Sequence, residues 1–227
     1  MRHHEVTSRC VNSGRLVSNV NQRRIHFFVV SYLFSEVLAM TEWTFEPGHT
    51  SAQFRARHMM VTNVRGHFQE VTGEMTFDPD DFSKGSVRAE IDTSSLCSGD
   101  QARDEHLTSA DFLHAEEYPK IRYEGEEVEE QGCSEFVVHG ELTIRGITRA
   151  VPLETRFLGI RETGYWDGEA DQGPVRRAGF QATAQINRHE FNVDWQNELP
   201  GGGFVVGETV WITLDVEALP TSFLENL

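Results

Sequence analysis

Two side chains hold positions from which they could contact a molecule bound inside this protein. The first is His58, which follows Ala52, Phe54 and Ala56 at two-residue spacing. Because alternate residues of a β-strand point to one face, the imidazole is expected to face the interior. It could hydrogen-bond a polar group of a ligand there, or it could bond a backbone carbonyl at the strand end. Both interpretations remain open.

Arg188 is the second such residue, since it follows the apolar Ile186 by two positions near the end of another strand-like segment. A guanidinium that points inward needs a partner. An anionic group of a ligand could accept from it bidentately, and so could Asp104 or Glu105. We favour an ion pair with one of these two carboxylates.

Metal-binding motifs are missing from the sequence. Its ten histidines form no HxH or HExxH pattern, and His3-His4 stands alone near the N-terminus. Cys10, Cys97 and Cys133 are widely separated and form no CxxC pair. We therefore predict neither a metal nor any other cofactor.

Motifs of nucleophilic catalysis are missing as well. There is no GxSxG sequence, and Gly201–Gly203 is not followed by the GK[ST] of a phosphate loop. Arg103, Asp104 and His106 have the composition of a catalytic trio, but on a helix residues 103 and 106 share a face from which 104 turns away. The sequence predicts no catalytic residue and no enzyme.

The charge of the chain restricts its partners. The formal net charge is −16, and Lys84 and Lys120 are the only lysines. Such a field disfavours nucleic-acid phosphates and anionic membrane surfaces, so we expect no nucleic acid as a partner. The many carboxylates and few lysines are also compatible with a high-salt environment.

The N-terminal segment, residues 1–40, does not follow the pattern of the rest. Ile25–Met40 is mostly apolar but contains Glu36 and follows Arg23-Arg24. A secretory signal is one interpretation, and a membrane anchor is disfavoured because the run is shorter than about 20 residues. We prefer a third, in which Met40 is the true start and the segment is a disordered or loosely helical extension. A cytoplasmic protein is then expected, with a periplasmic or secreted one as the alternative.

Residues 41–220 carry the pattern of one all-β domain, followed by a tail over 221–227. Val87, Ala89 and Ile91 alternate with charged residues, and about eight segments of this kind are separated by Gly, Pro, Asp and Asn. Asp100–Leu107 interrupts them with helix formers and predicts a short helical insertion.

Antiparallel strands with one apolar face close into a barrel or split into a sandwich. A barrel of about eight strands can be filled by its own side chains or can hold one small ligand. Small inward residues such as Ala56, Ala89 and Ala182 alternate here with large ones such as Phe180. This pattern alone fits a hollow and a solid interior equally well.

Four ordered stretches resemble the YceI-like polyisoprenoid-binding family and together lie within about four-fifths of the chain. They are Trp43–Gly73 (WTFEPGHTSAQFRARHMMVTNVRGHFQEVTG), Arg103–Pro119 (RDEHLTSADFLHAEEYP), Gly140–Pro152 (GELTIRGITRAVP) and Arg177–Val193 (RAGFQATAQINRHEFNV). The resemblance implies a lipocalin-like extended antiparallel barrel, a covering helical segment, and a polyprenyl or related lipid in the cavity. It also implies a possible homodimer. Two departures are Asn192, where Gly is expected, and Glu46–His49.

We therefore predict a protein that carries or sequesters a long-chain isoprenoid or related amphiphilic lipid without stable membrane insertion. The alternatives are an enzyme acting on an amphiphilic substrate in the same cavity, and a stress-related interaction domain with a solid barrel. The predicted cavity residues share the inward register or belong to the helical insertion. They are Phe54, Ala56, His58, Phe68, Ala89, Leu107, Phe112, Phe180, Ala182, Ile186 and Arg188.

Overall fold

The computed structural model describes residues 40–197 and 199–227 of the 227-residue chain. The predicted N-terminal extension therefore lies outside the described residues, apart from Met40. Within the described part, no helix is both long enough and apolar enough to cross a bilayer.

Twelve strands and two short helices make up the described structure. The strands are β1 (Thr41–Phe45), β2 (Ser51–His58), β3 (Thr62–Phe68), β4 (Val71–Asp78), β5 (Asp81–Asp92), β6 (Leu96–Cys97), β7 (Lys120–Glu130), β8 (Glu135–Ile144), β9 (Ile147–Ala150), β10 (Leu153–Trp166), β11 (Asp171–Asn187) and β12 (Val206–Pro220). The helices are α1 (Gln101–Thr108) and α2 (Thr221–Leu224), and 3-10 turns cover Pro47–His49, Thr93–Ser95 and Arg188–Phe191.

Eight antiparallel strands close into a ring. Their order is β1-β4-β5-β7-β8-β10-β11-β12, and β12 returns to β1 through the pairs Trp43–Pro220 and Phe45–Ala218. Closure leaves no free edge in the ring. The predicted all-β barrel of about eight strands is confirmed.

Strand β12 belongs to two ladders on the same side, and this extends the barrel. Its last residues pair with β1, whereas Leu214 pairs with Ala52 of β2. The chain moves from one ladder to the other through the 3-10 turn at Pro47–His49. The hairpin β2–β3 and the short strand β6 continue the wall beyond the ring.

Aromatic side chains fill one part of the interior. Phe77 stacks on Trp43 and on Phe82, with ring centroids 5.1 and 5.7 Å apart, and Phe82 stacks on Phe136 at 5.0 Å. Phe180 meets Phe77 edge-on at 5.2 Å. Such offset and edge-on contacts add to the stabilisation from burial, so this cluster closes the barrel with side chains.

The predicted helical insertion is α1. Asp100 caps it, because its side chain accepts a hydrogen bond from the Arg103 amide at 2.9 Å. The first turn of the predicted tail is also ordered as α2, where Thr221 Oγ1 lies 2.9 Å from Thr44 Oγ1 of β1.

Asn192 ends the 3-10 turn Arg188–Phe191 with a φ of 54°. Asparagine tolerates this left-handed conformation better than most residues with a Cβ. Asn192 therefore adopts the left-handed conformation at the position where the resemblance led us to expect glycine, and the turn can form with either residue.

Candidate functional site

A cavity of about 270 Å³ lies within the barrel wall. Its volume is close to the lower end of the roughly 300–1,000 Å³ of small-molecule sites. The side chains around it are overwhelmingly apolar and come from most strands of the wall. The interior is therefore hollow next to the aromatic cluster, and the solid-barrel alternative is wrong.

The structure brings ten of the eleven predicted cavity residues to this wall. They are Phe54, Ala56, Phe68, Ala89, Leu107, Phe112, Phe180, Ala182, Ile186 and Arg188. Their side chains come together because the inward faces of a closed sheet all point toward one axis. That they contact a ligand stays a prediction.

His58 is the exception, since it is not among the residues that line the cavity. It is the last residue of β2, where it pairs with Thr62 and with Val206. The β2–β12 ladder shifts register between Val206 and Val210, directly beside this strand end. His58 continues the exposed/less-exposed alternation of β2, but it lies at the strand end and does not reach the lining of the cavity.

Arg188 lines the cavity, but its expected carboxylate partners are wrong. Its Nε donates to the carbonyl of Gly207 at 3.1 Å and its Nη2 to that of Val206 at 3.3 Å, while Nη1 donates to the carbonyl of Val193. The side chain is 4% exposed. It therefore ties the turn after β11 to the start of β12 through backbone acceptors.

The electrostatic setting of Arg188 is unusual for a cavity of this kind. Burial lowers the pKa of its guanidinium, and the negative charges of Asp194 and Glu208 oppose that effect. Three hydrogen bonds use three of the five N–H groups of a guanidinium. The Arg188 guanidinium is thus a positive charge in a largely apolar cavity wall, and its hydrogen-bond acceptors are neutral backbone carbonyls.

A lid of three side chains covers part of the cavity, formed by Leu107 of α1 with Phe112 and Leu113 from the following turns. Phe112 packs against His106 and Trp195, with ring centroids 4.9 and 5.3 Å away. The Phe112 carbonyl also accepts a hydrogen bond from Arg145 Nη1 at 2.5 Å. These contacts fix the lid to the barrel.

Sequence reasoning missed Trp195, because this residue lies in the non-repetitive segment between the 3-10 turn and β12. The one feature of the sequence that could have indicated a role for Trp195 is its position shortly after the INRHEF stretch, where few other aromatic residues occur.

Tyr123 was also missed, although its alternation with Ile121 places it inward. Its hydroxyl lies 3.0 and 3.1 Å from the carbonyl oxygens of Val138 and Val151, which share its single proton. Gly140 makes room for the ring, because a Cβ there would come within 2.6 Å of it. Burial raises the pKa of this phenol, so the group is a neutral hydrogen-bond donor and part of the wall.

Groups suited to acid–base chemistry do not face the cavity. Of the described residues that line it, none is His, Cys, Asp, Glu or Lys. A separate group on the outside, Glu46, His49 and Glu217, has ligand atoms within 4.8 Å of one another. Its Glu217 is already paired with Arg177, which competes with any cation for that carboxylate.

The model of the YceI-like domain matches residues 43–218. The chain belongs to the YceI-like family. A curated relative of this YceI-like chain, UPF0312 protein SA2479 from Staphylococcus aureus, is 33% identical over 171 residues, which are 75% of this chain and 93% of the relative. The predicted family membership is confirmed.

Solved structures share the fold of this YceI-like protein. BcnA from Burkholderia cenocepacia has a TM-score of 0.58 at 21% identity, with 76% of this chain and 98% of BcnA covered. A Campylobacter jejuni YceI protein has the same TM-score at 23% identity, with 72% and 89% covered. A polyisoprenoid binding domain from Saccharophagus degradans has a TM-score of 0.53 at 12% identity, with 80% and 99% covered.

Proposed function

We propose that this protein binds an isoprenoid or related long-chain amphiphilic lipid in the barrel cavity and so carries or sequesters it. The observation that carries the proposal is the continuous apolar lining of the 270 Å³ cavity. Burying a hydrocarbon chain is favourable by roughly 0.8 kcal/mol per methylene. A wall without charged groups along most of its length favours a ligand of that kind.

Arg188 places one cationic side chain in the otherwise apolar wall of this cavity. The guanidinium is a donor only, so the ligand group nearest to it should be an acceptor such as a hydroxyl, carbonyl or phosphate oxygen. An amphiphile with an apolar chain and an oxygen-rich head matches both parts of the wall. A purely hydrocarbon ligand would make no favourable polar contact with the Arg188 guanidinium.

The choice of isoprenoids among apolar chains has a separate support. The Saccharophagus degradans domain is a polyisoprenoid binding domain, and this chain shares its fold. At 12% identity the likeness concerns the fold, and the ligand is transferred here as a proposal. Isoprenoids are therefore the first compounds to test.

Binding is favoured over catalysis by the chemistry of the wall. General acid–base catalysis needs a titratable group within hydrogen-bond reach of the substrate. The described lining offers hydroxyl groups, Gln53 and two arginines in place of His, Cys or carboxylates. We therefore assign the cavity a binding role.

The test is to identify what the purified protein contains and what it takes up. Organic extraction followed by mass spectrometry should recover a chain-like lipid in an amount comparable with that of the protein. Delipidated protein should take up a polyprenol or a long-chain quinone and quench its tryptophan fluorescence in a saturable way. If the purified protein contains no lipid and takes up neither the polyprenol nor the quinone, the proposal is wrong.

A further inference from the structure

The hairpin formed by β2 and β3, Ser51–Phe68, has a charge opposite to that of the rest of the molecule. The whole chain has 36 acidic and 20 basic residues, but this hairpin contains Arg55, Arg57 and Arg65 and no Asp or Glu. All three arginines are exposed. They lie on the face opposite to Phe54 and Ala56, which line the cavity. We call these three residues the arginine face.

Internal contacts do not account for the arginine face. Arg55 pairs directly with Arg65 across the ladder, and like charges in that position are destabilising. Among the described residues, none of the three makes an ion pair within 4.0 Å. Arg55 lies over the ring of Trp211, 4.7 Å from its centroid, which holds the charge on the outside of the barrel.

Acidic groups near the arginine face do not neutralise it. Asp215 lies on the adjacent strand opposite Ser51, four residues along β2 from Arg55, and it forms no ion pair within 4.0 Å with any of the three arginines. Glu208 follows Gly207, where an added Cβ would lie 3.0 Å from the Cβ of Arg57, and it too forms no ion pair within 4.0 Å with any of the three arginines. The positive charge is therefore available to a partner.

The end of the same hairpin is apolar and exposed. Met59, Met60 and Val61 are 43, 48 and 81% exposed, and we call them the hairpin tip. Met59 and Met60 have φ values of 47° and 62°, a region that suits Asn-Gly far better than methionine. The thioether end of Met60 lies against Gly203, but the tip as a whole remains largely exposed in a strained turn, where polar turn residues would remove both costs.

We propose that the β2–β3 hairpin docks the protein on an anionic lipid membrane, with the arginine face against the headgroups and the hairpin tip among the upper acyl chains. Cationic side chains beside exposed apolar ones are the combination that binds such an interface. An acidic protein partner would explain the arginines but leave the apolar tip in water.

The net charge of −16 does not prevent this contact. At physiological ionic strength the Debye length is about 8 Å, so acidic groups on the far side of the barrel are screened from the membrane. The attraction between the arginine face and the anionic headgroups, which acts within that distance, then orients the β2–β3 hairpin toward the surface. A three-residue tip is far shorter than the roughly 9–11 residues of a membrane-spanning strand, so docking is peripheral.

Docking extends the proposed function and rests on it for its purpose, because a carrier must meet the membrane from which its lipid comes. The tip begins three residues after Ala56, a cavity residue, and Met59 donates its amide to the carbonyl of Val205 at 2.8 Å, next to the lining residue Val206. The docking element and the cavity wall are thus made from the same strands.

Vesicle flotation with the full chain tests the proposal. Wild-type protein should bind vesicles of phosphatidylcholine with phosphatidylglycerol, bind pure phosphatidylcholine much less, and lose binding as salt rises. The variant R55Q/R57Q/R65Q should bind the anionic vesicles at least tenfold more weakly, because each cation near a charged surface contributes about 1 kcal/mol. The control R149Q/R156Q/R161Q changes the net charge equally at exposed arginines outside the hairpin and should bind like the wild type.

A second variant separates docking from folding. M59N/M60G fits the turn, so its thermal stability should be equal or higher, whereas its vesicle binding should fall. Residues 1–39 are identical in all variants, so any contribution from that segment cancels.

Three results would overturn the proposal. They are undiminished binding by the hairpin triple variant, equal binding of the wild type to neutral vesicles, and salt-sensitive association with an acidic protein or a second copy in the absence of vesicle binding. Uptake of a fluorescent lipid from solution tests the cavity separately. Uptake retained by a variant that no longer docks supports both proposals, whereas docking without uptake overturns only the proposed function.

Discussion

The ring of Phe54 lies directly over Gly66, the residue that faces it across the β2–β3 ladder. A Cβ at Gly66 would come within 2.5 Å of the ring and 3.1 Å of the carbonyl oxygen of Cys97. Because Phe54 lines the cavity, the absence of a side chain at Gly66 sets the position of part of its wall.

Gly66→Ala should therefore destabilise the protein by about 1–3 kcal/mol, the usual range for overpacking. The displaced ring should also narrow the cavity and weaken lipid uptake. Urea unfolding and a fluorescence uptake assay measure the two effects. Gly132→Ala is the matched control, because nothing lies within 4 Å of its Cβ position. Equal effects of the two substitutions would contradict the assigned contact.

Ala182→Trp should block the cavity while the barrel still forms. Ala182 lines the cavity between Thr155 and Leu214 of the neighbouring strands, so an indole there occupies ligand space. Uptake of a polyprenol should be lost. Thr183→Trp places the same side chain on the exposed outer face of the same strand and should leave uptake unchanged. Unaltered uptake by Ala182→Trp would mean that the ligand binds elsewhere.

Arg188→Met should be strongly destabilising, by about 3 kcal/mol, because three backbone carbonyls lose a charged donor inside the protein. Chemical denaturation measures the change. The control Arg161→Met removes an exposed arginine that bonds only the carbonyl of Ile160, and it should stay within about 0.5 kcal/mol. If both variants unfold at the same denaturant concentration, Arg188 does not hold the turn to β12.

Asp92 should contribute to the acid sensitivity of the protein. Hydrogen bonds from the Ser94 hydroxyl and amide, and then the Lys120 ammonium, hold the pKa of this carboxyl below its ordinary value. A group whose pKa is lower in the folded state stabilises above the unfolded pKa of about 3.9 and loses that contribution as pH falls through the folded pKa.

Asp92→Asn should flatten this part of the stability profile below about pH 4 while costing less than about 1 kcal/mol at neutral pH. Unfolding midpoints measured at several pH values compare the two proteins. The backbone of the turn keeps its cap, because asparagine also accepts from the Ser94 amide. Parallel profiles for wild type and variant would show that Asp92 has no shifted pKa.

Much of the barrel was predictable from the sequence because strand alternation is a local property. The register of Ala52, Phe54 and Ala56 and that of Ala89 were read from neighbours two positions away, and all four residues line the cavity. The α1 helix was equally accessible, since Asp100 and the helix formers after it act within one turn. The family resemblance then indicated how these local elements are joined.

Predictions failed where distant segments meet. His58 keeps the alternation of β2 but lies at the strand end, outside the residues that line the cavity, and the extent of the cavity is not a property of β2 alone. Arg188 found carbonyl acceptors at Val193, Val206 and Gly207 in place of the expected carboxylates. Trp195 lies in an irregular segment and packs against Phe112 of the lid. The periodicity of apolar residues along the sequence does not predict such a contact.

The sequence by itself determined the alternation of apolar and charged faces, the position of the helical insertion and the family of this chain. Only the tertiary structure decided that the interior is hollow, where the buried Arg188 is anchored, and that the arginines of the β2–β3 hairpin share an unneutralised outer face. The physical reason is that alternation depends on the backbone geometry of adjacent residues. Cavity volume, the partners of a buried charge and a surface field instead depend on which distant strands are brought side by side.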